Sequence, residues 1–538
     1  MSWVKIGLLA MLARAGRADV SFAKGPTGRH RQRELELAAM SAALSIDSVK
    51  SQAEGLSYRS QGFIDGKYVA AASGETFDCV SPVNGKVLAQ VAACDSEDVD
   101  RAVKAARRAF EDGRWSHQAP SDRKRVLFRF AELIERHATE LALLETLDMG
   151  KPIRDAAAID IPAVVKCIRW YAEAVDKVYD EVAPSPHNAV VTITREPVGV
   201  VGAVVPWNFP LLMAAWKIGP ALATGNSIIV KPAEQSPLTM IRIAELAAEA
   251  GIPDGVIGVV PGFGETAGQA LGRHMDVDAI AFTGSAEVGK YFLKYAGESN
   301  MKRVGLECGG KTPNIIMADA PDLDAAAEAA AWGIFFNQGE VCNAGSRLLV
   351  EESVKDRLLE KVMAVGKSMR VGDPLDPATQ IGAMVDDTQT DRVMGYIDAG
   401  KKEGAKLAMG GKRVLAETGG YYIEPTVFDK VSNDMKIAQE EIFGPVLSTI
   451  TFKDVDDAIR IGNDTIYGLA AAVWSSDINT ALKAAKALRA GSVWVNCFDA
   501  GDMTTPFGGF KQSGFGRDKS LHAMDKYTEL KTTYVQLS

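Results

Sequence analysis

The segment Val198-Gly199-Val200-Val201-Gly202-Ala203-Val204-Val205 is an unbroken apolar run that ends at Pro206. Apolar runs bounded by glycine or proline are typical of strands buried on both faces of a parallel sheet. A helical stretch follows, and the same alternation of strand and helix continues downstream. The predicted strands are 198–205, 226–231, 256–260 and 279–283; the predicted helices end at Ala223, cover 237–250 and 266–273, and begin again at Ser285 or Ala286. This alternation predicts an α/β fold, with a parallel sheet and helices on both of its faces.

The segments that flank this region carry weaker signals. Asp65-Gly66 is a two-residue turn signal inside 63–69 and predicts a hairpin. Pro184 and Pro186 interrupt regular structure before 190–196, which alternates like an exposed strand. The C-terminal segment 527–535 alternates weakly, and we expect it to add an edge strand in a partner subunit. Helical patterns are predicted over 98–110, 121–137, 140–147 and 160–178.

Composition and charge exclude several classes of protein. The chain has 538 residues, long enough for more than one domain, and its net charge of -9 gives no indication of nucleic-acid binding. No stretch approaches the ~20 apolar residues that a membrane helix needs. The six histidines show no ligand spacing and no Cys-x-x-Cys occurs, so no metal site is predicted. Six cysteines in so long a chain do not form a disulfide framework, and a reactive thiol needs a reducing compartment, so we expect a cytoplasmic protein.

Residues 1–39 differ in composition from the rest of the chain. They contain few acids, a short apolar run over 6–13, and the arginines Arg14, Arg17, Arg29, Arg31 and Arg33. Signal and transit peptides share such features. Because the remainder looks cytoplasmic, we expect translation to start at Met40 and 1–39 to be disordered if it is made. Deleting 1–39 is then expected to change neither folding nor activity.

A glycine-rich stretch, Gly262-Phe263-Gly264-Glu265-Thr266-Ala267-Gly268, is similar to a dinucleotide-binding fingerprint but does not fit it. Its third glycine falls one residue late for G-x-G-x-x-G, and it follows a late strand of the unit. Thr283-Gly284-Ser285 is the better candidate, because it ends a predicted strand and opens a helix. The free N–H groups at the start of that helix can bind a pyrophosphate.

One cysteine lies on a short polar segment between two predicted regular elements. Cys342 follows a helical run over 323–336 and precedes a strand over 348–350. Gly339 and Gly345 are expected to let the backbone turn on either side of it. Most free cysteines are simply buried structural residues. The polar neighbours are poor core residues and favour a reactive position instead: Asn337, Gln338, Glu340 and Asn343.

Two further segments carry groups that thiolate chemistry requires. Glu307 ends an apolar strand just before Gly309-Gly310 and can serve as a general base, although a solvated turn glutamate is the commoner alternative. Asn208 lies between Pro206 and Pro210 with aromatic neighbours. Alone this is a rigid turn, but beside a thiolate and a base its amide can donate to an oxyanion.

Together these segments resemble the aldehyde dehydrogenase superfamily, from about Phe63 to the C-terminus. Within it the chain is similar to bacterial enzymes of polyamine catabolism, the gamma-glutamyl-gamma-aminobutyraldehyde and 4-guanidinobutyraldehyde dehydrogenases. The superfamily motifs are Lys231-Pro232-Ala233-Glu234, Phe282-Thr283-Gly284-Ser285, Glu440-Glu441-Ile442-Phe443-Gly444-Pro445 and Pro506-Phe507-Gly508-Gly509; the closer likeness lies in 168–174, 501–504 and 519–523.

The resemblance implies an α/β aldehyde dehydrogenase fold with three parts. These are a Rossmann-like NAD-binding domain (40–178 and 198–309), an α/β catalytic domain (310–510) and a small oligomerisation β-element (179–197 and 525–538). It also implies a homotetramer or homodimer, NAD as the cofactor with NADP tolerated, and a small-molecule aldehyde as the substrate.

The implied reaction is NAD(P)-dependent oxidation of an aldehyde to a carboxylic acid through a thioester on Cys342. Asn208 and the Cys342 backbone N–H would stabilise the oxyanion, and Glu307 would activate the water that hydrolyses the thioester. Lys217 would either tune proton transfer near Glu307 or be a structural ion-pair partner. Cys308 is expected to be a spectator.

The resemblance also assigns binding residues. Lys231 and Glu234 would hold the adenosine ribose, Glu441 the nicotinamide ribose, and Trp207 and Ser285 the phosphates. The remaining cofactor residues are Thr283, Gly284, Gly289 and Phe443, and the substrate residues are Trp170, Met213, Trp216, Phe498, Asp499, Asp502 and Phe507. Two aspartates in 498–504, with few Lys or Arg nearby in sequence, favour a substrate with a cationic tail, such as an aminobutyraldehyde derivative. The alternative is that both aspartates cap local turns.

Other classes of function remain open alternatives. A CoA-acylating dehydrogenase shares the cysteine but generally lacks the base, so Glu307 argues against it. A cysteine hydrolase needs a histidine activator, and no histidine lies in a recognised motif. A non-catalytic structural relative would be free to lose Cys342, Glu307 or Asn208, and all three are present. A broad-specificity aliphatic or aromatic aldehyde dehydrogenase is the alternative for the substrate.

Overall fold

The computed structural model describes residues 45–538, so the expectation for 1–39 lies outside the described residues. The strands are β1 (Gly62–Ile64), β2 (Lys67–Val69), β3 (Thr76–Val80), β4 (Val87–Ala92), β5 (Glu181–Ala183), β6 (Ala189–Pro197), β7 (Val200–Val204), β8 (Ser227–Lys231), β9 (Ile257–Val259), β10 (Ala279–Gly284), β11 (Arg303–Cys308), β12 (Pro313–Ile316), β13 (Arg347–Glu351), β14 (Lys406–Met409), β15 (Arg413–Val414), β16 (Tyr422–Ile423), β17 (Thr426–Asp429), β18 (Val446–Phe452), β19 (Ala470–Trp474), β20 (Ser492–Val495), β21 (Gly514–Phe515) and β22 (Thr528–Gln536).

The helices alternate with these strands. They are α1 (Ile46–Glu54), α2 (Ser96–Glu111), α3 (Pro120–Arg136), α4 (Ala138–Met149), α5 (Ile153–Asp155), α6 (Ile161–Ala174), α7 (Pro210–Ala223), α8 (Leu238–Ala250), α9 (Gln269–Arg273), α10 (Ala286–Gly297), α11 (Leu323–Phe335), α12 (Lys355–Ser368), α13 (Asp387–Lys402), α14 (Lys436–Gln439), α15 (Val455–Asn463) and α16 (Ile478–Ala487). No helix among residues 45–538 is long and apolar enough to cross a membrane.

The first sheet is the one that the opening segment predicts. Its strand order is β2-β1-β9-β8-β7-β10-β11-β21, and β9, β8, β7, β10 and β11 run parallel to their neighbours in this series. Alternate residues of β7 pack into different hydrophobic clusters: Val201 and Ala203 into one, Val200 and Val204 into another. The sheet is therefore covered on both faces, and the α/β prediction is confirmed. The hairpin at Asp65-Gly66 is also confirmed, as β1 pairs antiparallel with β2.

The second sheet has the order β14-β17-β18-β13-β12-β19-β20 and is parallel except for the antiparallel β14–β17 pair. Its strands come from residues 313–495, whereas β21, which lies beyond 510, returns to the first sheet beside β11. The segment with Cys342 connects α11 to β13. The catalytic cysteine candidate is thus presented by the second sheet, and Asn208 and Glu307 by the first.

The third sheet has the order β22-β6-β5. In it, β22 pairs antiparallel with β6 over its whole length, from Thr528 opposite Pro197 to Gln536 opposite Ala189. This pairing satisfies one edge of β22, and its other edge is unpaired among residues 45–538. The expectation that 527–535 adds an edge strand in a partner subunit stays a prediction. The division of the chain into three domains stays a prediction.

Candidate active site

The candidate site begins at the carboxyl ends of β7 and β10, which are adjacent strands in the first sheet. From β7 the chain proceeds through β8 to β9 on one side, and then returns to the other side of β7 for β10. Such a reversal of strand order opens a crevice where α/β proteins bind ligands. Trp207 and Asn208 follow β7, and Ser285 follows β10. Both segments therefore border the same crevice.

The backbone before Cys342 turns more sharply than the sequence predicted. A 3₁₀ turn covers Phe336–Gly339, with φ of 48° at Asn337, 57° at Gln338 and 75° at Gly339. A Cβ on Gly339 would lie 2.2 Å from the Gly444 carbonyl oxygen, so glycine is required there. Gly345 does not have a positive φ. A Cβ at this position would lie only 3.1 Å from the Phe498 ring, so glycine is needed here for close packing.

The polar side chains around Cys342 are buried, so the expectation that they are poor core residues is wrong. Asn337, Gln338 and Glu340 are at most 1% exposed, and Asn343 is 5% exposed. Their side chains hold the turn by hydrogen bonds. Gln338 donates to the Ala383 carbonyl oxygen and accepts from the Gly382 N–H, and Glu340 accepts from the Val385 N–H at 3.1 Å. Buried polar groups are tolerated when they are hydrogen-bonded. They form a rigid polar scaffold beneath the cysteine.

Asn208 is tied directly to this scaffold. Its Nδ2 donates to the Glu340 carbonyl oxygen at 2.8 Å, and Asn337 Nδ2 donates to the Asn208 carbonyl oxygen at 3.1 Å. Asn208 is 4% exposed. An amide NH₂ has two hydrogens. One is used by Glu340, and the second is left to donate to an oxygen near Cys342.

The Cys342 thiol is half-buried, whereas Cys308 is 2% exposed. Burial raises the pKa of the Cys342 thiol well above its ordinary value, and the carboxylates of Glu307, Glu441 and Asp499 raise it further. Loss of the thiol proton thus requires a base or a nearby positive charge.

Glu307 lies at the end of β11, paired with Thr283 on one side and Gly514 on the other. The adjoining glycines bring it to the cysteine, because a Cβ on Gly310 would lie 2.9 Å from the Cys342 carbonyl oxygen. Glu307 is 4% exposed, so the alternative of a solvated turn residue is wrong. Its Oε1 is buried and has no hydrogen-bond partner among the described residues.

The charges around Glu307 set its protonation. Burial raises the pKa of Glu307 to about 8, and Asp518 contributes to the rise. Lys217, Lys526 and Arg517 oppose it, in that order of strength. A carboxyl with this pKa can accept a proton near neutral pH and release it again, as a general base must.

Asp518 is a site residue that the sequence did not reveal. Both of its oxygens are engaged, Oδ2 with Lys217 Nζ and Oδ1 with Lys526 Nζ, and these cations hold the pKa of Asp518 below its usual range. In the sequence Asp518 is only an acidic residue four positions after Gly514, and no motif marks it. Gly514 belongs to β21, the strand that pairs with β11. For Lys217 the ion-pair alternative is observed, and through its charge Lys217 also lowers the pKa of Glu307.

The predicted cofactor residues line the carboxyl edge of the first sheet. Lys231 ends β8, is 3% exposed, and its Nζ contacts Glu234 Oε2 at 2.9 Å. Thr283 Oγ1 is buried without a partner among residues 45–538. The Ser285 hydroxyl caps α10 by accepting from the Val288 N–H at 3.2 Å, and the preceding N–H groups of that turn have no intrahelical partner.

The α10 helix packs closely on β11, since a Cβ on Gly289 would lie 3.1 Å from Cys308 Sγ. Gly284 links the strand to the helix. A ribose requires polar groups such as the Lys231–Glu234 pair and the Thr283 hydroxyl. A pyrophosphate requires free N–H groups such as those at the N-terminus of α10. The residues present therefore fit a dinucleotide.

Glu441 lies at the other end of this crevice. Its Oε1 accepts from the Gly310 N–H at 3.1 Å, and a Cβ on Gly309 would lie 2.0 Å from the same carboxylate. Burial raises the pKa of Glu441 to about 7. Phe443 packs edge-on against Trp207 with ring centroids 5.1 Å apart. Glu441 is thus close to both the Glu307 turn and Cys342, and is not an ordinary surface acid.

The aromatic residues among the predicted substrate residues belong to three ring pairs. Trp216 packs on Phe507 with ring centroids 5.4 Å apart, and Met213 is 5% exposed on the same helix, α7. Phe498 packs on Trp494 at 5.1 Å and also against Gly345 of the cysteine segment. Trp170 is half-buried on α6 and packs on Tyr171 at 5.0 Å.

The expectation that few basic residues lie near Asp499 and Asp502 is wrong. Two lysines that are distant in sequence lie beside these aspartates: Lys166 Nζ is 3.8 Å from Asp502 Oδ2, and Lys519 interacts electrostatically with both acids. Asp502 also caps its turn, accepting from the Thr504 N–H at 2.8 Å. The segment is therefore mixed in charge and not simply acidic.

Comparison with known proteins identifies this arrangement. The profile of the aldehyde dehydrogenase family matches residues 68–533. The chain belongs to the aldehyde dehydrogenase family. The predicted fold and the predicted class of enzyme, a dehydrogenase that oxidises aldehydes, are thereby confirmed.

Individual members of the aldehyde dehydrogenase family are similar over almost their whole length. NADP/NAD-dependent aldehyde dehydrogenase PuuC of Escherichia coli is 54% identical over 488 residues, which are 91% of this chain and 98% of that protein. The structure of an indole-3-acetaldehyde dehydrogenase complexed with NAD+ is 61% identical with a TM-score of 0.91, covering 92% of this chain and 100% of the other. Gamma-glutamyl-gamma-aminobutyraldehyde dehydrogenase of Burkholderia cenocepacia is 58% identical with a TM-score of 0.91 and the same coverage.

Proposed function

We propose that this aldehyde dehydrogenase acts through Cys342, Asn208 and Glu307, with NAD as its cofactor. The observation that carries the proposal is the convergence of these residues from two sheets. Asn208 donates to the carbonyl of Glu340, two residues before Cys342, and the Glu307 turn packs against the carbonyl of Cys342 itself. A nucleophile, an oxyanion donor and a base within one crevice are what acyl transfer requires.

Cys342 Sγ attacks the carbonyl carbon of the aldehyde as the thiol loses its proton. The carbonyl oxygen becomes an oxyanion, which the second hydrogen of Asn208 Nδ2 and the Cys342 backbone N–H stabilise. Because burial raises the pKa of the Cys342 thiol, a neighbouring carboxylate must accept the proton. NAD bound in this crevice would supply the acceptor for the hydride that leaves the same carbon, and Cys342 would then hold the substrate as a thioester.

Glu307 completes the reaction. Its carboxylate takes a proton from a water molecule, which attacks the thioester carbon, releases the carboxylic acid and restores the Cys342 thiol. Oε1 of Glu307 has no hydrogen-bond partner among residues 45–538, so it keeps the capacity to accept a hydrogen bond from such a water. The buried Lys217–Asp518 pair keeps Glu307 near its working pKa.

For the cofactor, we assign the adenosine ribose to Lys231 and Glu234 and the nicotinamide ribose to Glu441. The N-terminus of α10, capped by Ser285, and Trp207 would hold the pyrophosphate. The Lys231–Glu234 contact of 2.9 Å supports this, because the carboxylate then has a fixed position from which to accept ribose hydroxyls.

The substrate that we favour is an aminobutyraldehyde derivative in polyamine catabolism. The likeness to the Burkholderia cenocepacia enzyme supports it. A second candidate is an aromatic acetaldehyde, supported by the likeness to the indole-3-acetaldehyde dehydrogenase and by the aromatic wall of Trp216 and Phe507. We further propose a cytoplasmic homotetramer assembled through the β22–β6–β5 sheet, whose exposed apolar side chains include Val182, Val190, Leu530 and Tyr534.

Two cysteine variants test the proposal. NADH formation is followed at 340 nm with 4-aminobutanal derivatives, indole-3-acetaldehyde and hexanal. Cys342→Ala is expected to lose at least about 10³-fold in kcat, because no other thiol can form the acyl-enzyme. Cys308→Ala is the matched control, since Cys308 lies next to Glu307 but is buried against α10. Near-normal turnover by Cys342→Ala would overturn the proposal.

A further inference from the structure

A buried group of charged side chains lies beneath the turn that carries Asn208. Lys151 follows Gly150, whose φ of 86° ends α4. The Lys151 ammonium contacts the Asp160 carboxylate, and Glu145 Oε1 is 3.9 Å away. All three side chains are 0% exposed. The buried charge group, Lys151, Glu145 and Asp160, is therefore shielded from water.

An irregular helix delivers Asp160 to this group. Residues Ala156–Asp160 form a π-helix between α5 and α6, and its last residue is the acid that contacts Lys151. Such π-turns are rare and are frequently found at functional sites. Well-packed apolar residues often serve a fold as well as a buried ion pair does. Stability alone therefore does not account for this arrangement.

The Lys151 ammonium lies against an aromatic ring next to the oxyanion donor. Its Nζ is 3.9 Å from the centroid of the ring of Phe209, the residue after Asn208. The face of an aromatic ring attracts a cation, most strongly where water is excluded. The same ring stacks on Phe336, the first residue of the 3₁₀ turn before the cysteine, with ring centroids 6.3 Å apart. Fixing the Phe209 ring restrains the backbone that Asn208 shares with it.

The backbone beside Lys151 is also tied to the 3₁₀ turn. The Ala383 N–H donates to the Gly150 carbonyl oxygen at 3.0 Å, and Gln338 Nε2 donates to the Ala383 carbonyl oxygen at 3.1 Å. A Cβ on Gly150 would lie 2.4 Å from that same Ala383 oxygen, so the two segments are in close contact. Lys151 is thus fixed at its backbone as well as at its ammonium.

We propose that Lys151 is a positioning residue for the oxyanion donor: its ammonium holds the Phe209 ring, and the ring holds the Asn208 amide in its working direction. The inference rests on the proposed function, in which Asn208 is that donor. The direction matters because Asn208 Nδ2 must serve the Glu340 carbonyl oxygen and the oxyanion together. A donor stabilises the transition state best when it needs no reorganisation.

Single-turnover formation of NADH, with enzyme in excess over aldehyde, reports thiol attack and hydride transfer separately from hydrolysis. Lys151→Met should lower this rate about tenfold or more, since a misplacement of about 1 Å can cost about 10²-fold. KM for NAD should stay unchanged. Phe209→Leu removes the ring but keeps the buried charges, and should lower the rate similarly. Because both changes break one contact, the double variant should lose no more than either single variant.

A second variant separates positioning from folding. Burial raises the pKa of Glu145 to about 8, so Asp160 supplies most of the charge that balances Lys151 at neutral pH. Lys151→Met/Asp160→Asn removes both charges of the ion pair with little change in size. Compared with Lys151→Met, it should regain stability in urea denaturation but not the single-turnover rate. Recovery of the parental rate along with the stability would overturn the inference, because Lys151 would then serve the fold alone.

Asn208→Ala decides whether Lys151 acts through the donor. In that background the amide is gone, so adding Lys151→Met should change the single-turnover rate by less than about twofold. An equal loss with and without Asn208 would overturn the inference and leave the proposed function intact. A parental rate in Asn208→Ala itself would overturn the role of Asn208 in the proposed function, and the inference with it.

Discussion

Lys217 and Asp518 form an ion pair in which each side chain is 1% exposed, although 301 residues separate them in the chain. Lys217 comes from α7, which follows the Asn208 turn, and Asp518 comes from the segment that pairs with β11 beside Glu307. The pair therefore connects the element that carries the oxyanion donor to the surroundings of the base. Removing either partner is expected to act on Glu307.

The first prediction concerns the pH dependence of thioester hydrolysis. Glu307 works as a carboxylate, so the rate should rise as pH increases through its pKa of about 8. Lys217→Gln removes a positive charge that lowers this pKa, so the acid limb should move to higher pH. Lys526→Gln should move it in the same direction but less, because its effect is the weaker of the two. Profiles of kcat against pH test this order.

Asp518→Asn is expected to shift the acid limb of the pH profile in the opposite direction. It removes the negative charge that raises the pKa of Glu307, so the acid limb should move to lower pH. Circular dichroism must first show that the variant is folded, since loss of one partner of a buried ion pair can cost about 3–5 kcal/mol. Shifts of the same sign in Lys217→Gln and Asp518→Asn would contradict the assignment of the limb to Glu307.

The second prediction concerns the base itself. Glu307→Gln keeps the size of the side chain but cannot accept a proton, so acylation should persist while hydrolysis slows by roughly 10²–10⁴-fold. Rapid mixing with substrate and NAD should show a burst of NADH followed by a slow steady state. Mass spectrometry should then detect the acyl group on Cys342. A variant that hydrolyses the thioester at the parental rate would exclude Glu307 as the base.

The third prediction concerns cofactor choice. The Glu234 carboxylate should bind ribose hydroxyls and repel a 2′-phosphate, while its partner Lys231 offsets part of the repulsion. NAD should be preferred, and NADP should be tolerated. Glu234→Gln should lower the ratio of kcat/KM with NAD to kcat/KM with NADP by roughly tenfold. An enzyme that favours NADP before any substitution would contradict this reading.

The fourth prediction concerns the buried charges beneath the oxyanion donor. Lys151 is fully buried, contacts Asp160 and lies 3.9 Å from the ring centroid of Phe209, the residue after Asn208. Lys151→Met should reduce the free energy of unfolding by about 3–5 kcal/mol, because it removes one partner of a buried ion pair. Lys177→Met, which breaks an exposed pair with Asp176, is the control and should leave the free energy of unfolding almost unchanged. Urea denaturation measures both; equal effects would mean that burial of the Lys151 pair contributes little.

Much of the fold could be predicted from the sequence because its signals are local. The run at 198–205 and its successors have the period and the boundaries of buried parallel strands. In the structure β7, β8 and β9 lie within the predicted ranges, and β10 extends one residue beyond its range, to Gly284. The motifs around Asn208, Glu307 and Cys342 are short local sequences, and their resemblance to the aldehyde dehydrogenase family assigned the role of each reactive group. These features depend on neighbouring residues alone, so the sequence by itself determined them.

Other features were decided only by tertiary structure. Asn337, Gln338 and Glu340 look like poor core residues in the sequence, but they are buried, and backbone groups distant in the chain form a hydrogen bond with each of their side chains. Asp518 has no motif of its own, and it enters the site only because β21 pairs with β11. Lys166 and Lys519 likewise join the two aspartates from far along the chain. Protonation, charge balance and substrate preference depend on such long-range proximity, which a sequence does not encode locally, and for this reason the tertiary structure determines them.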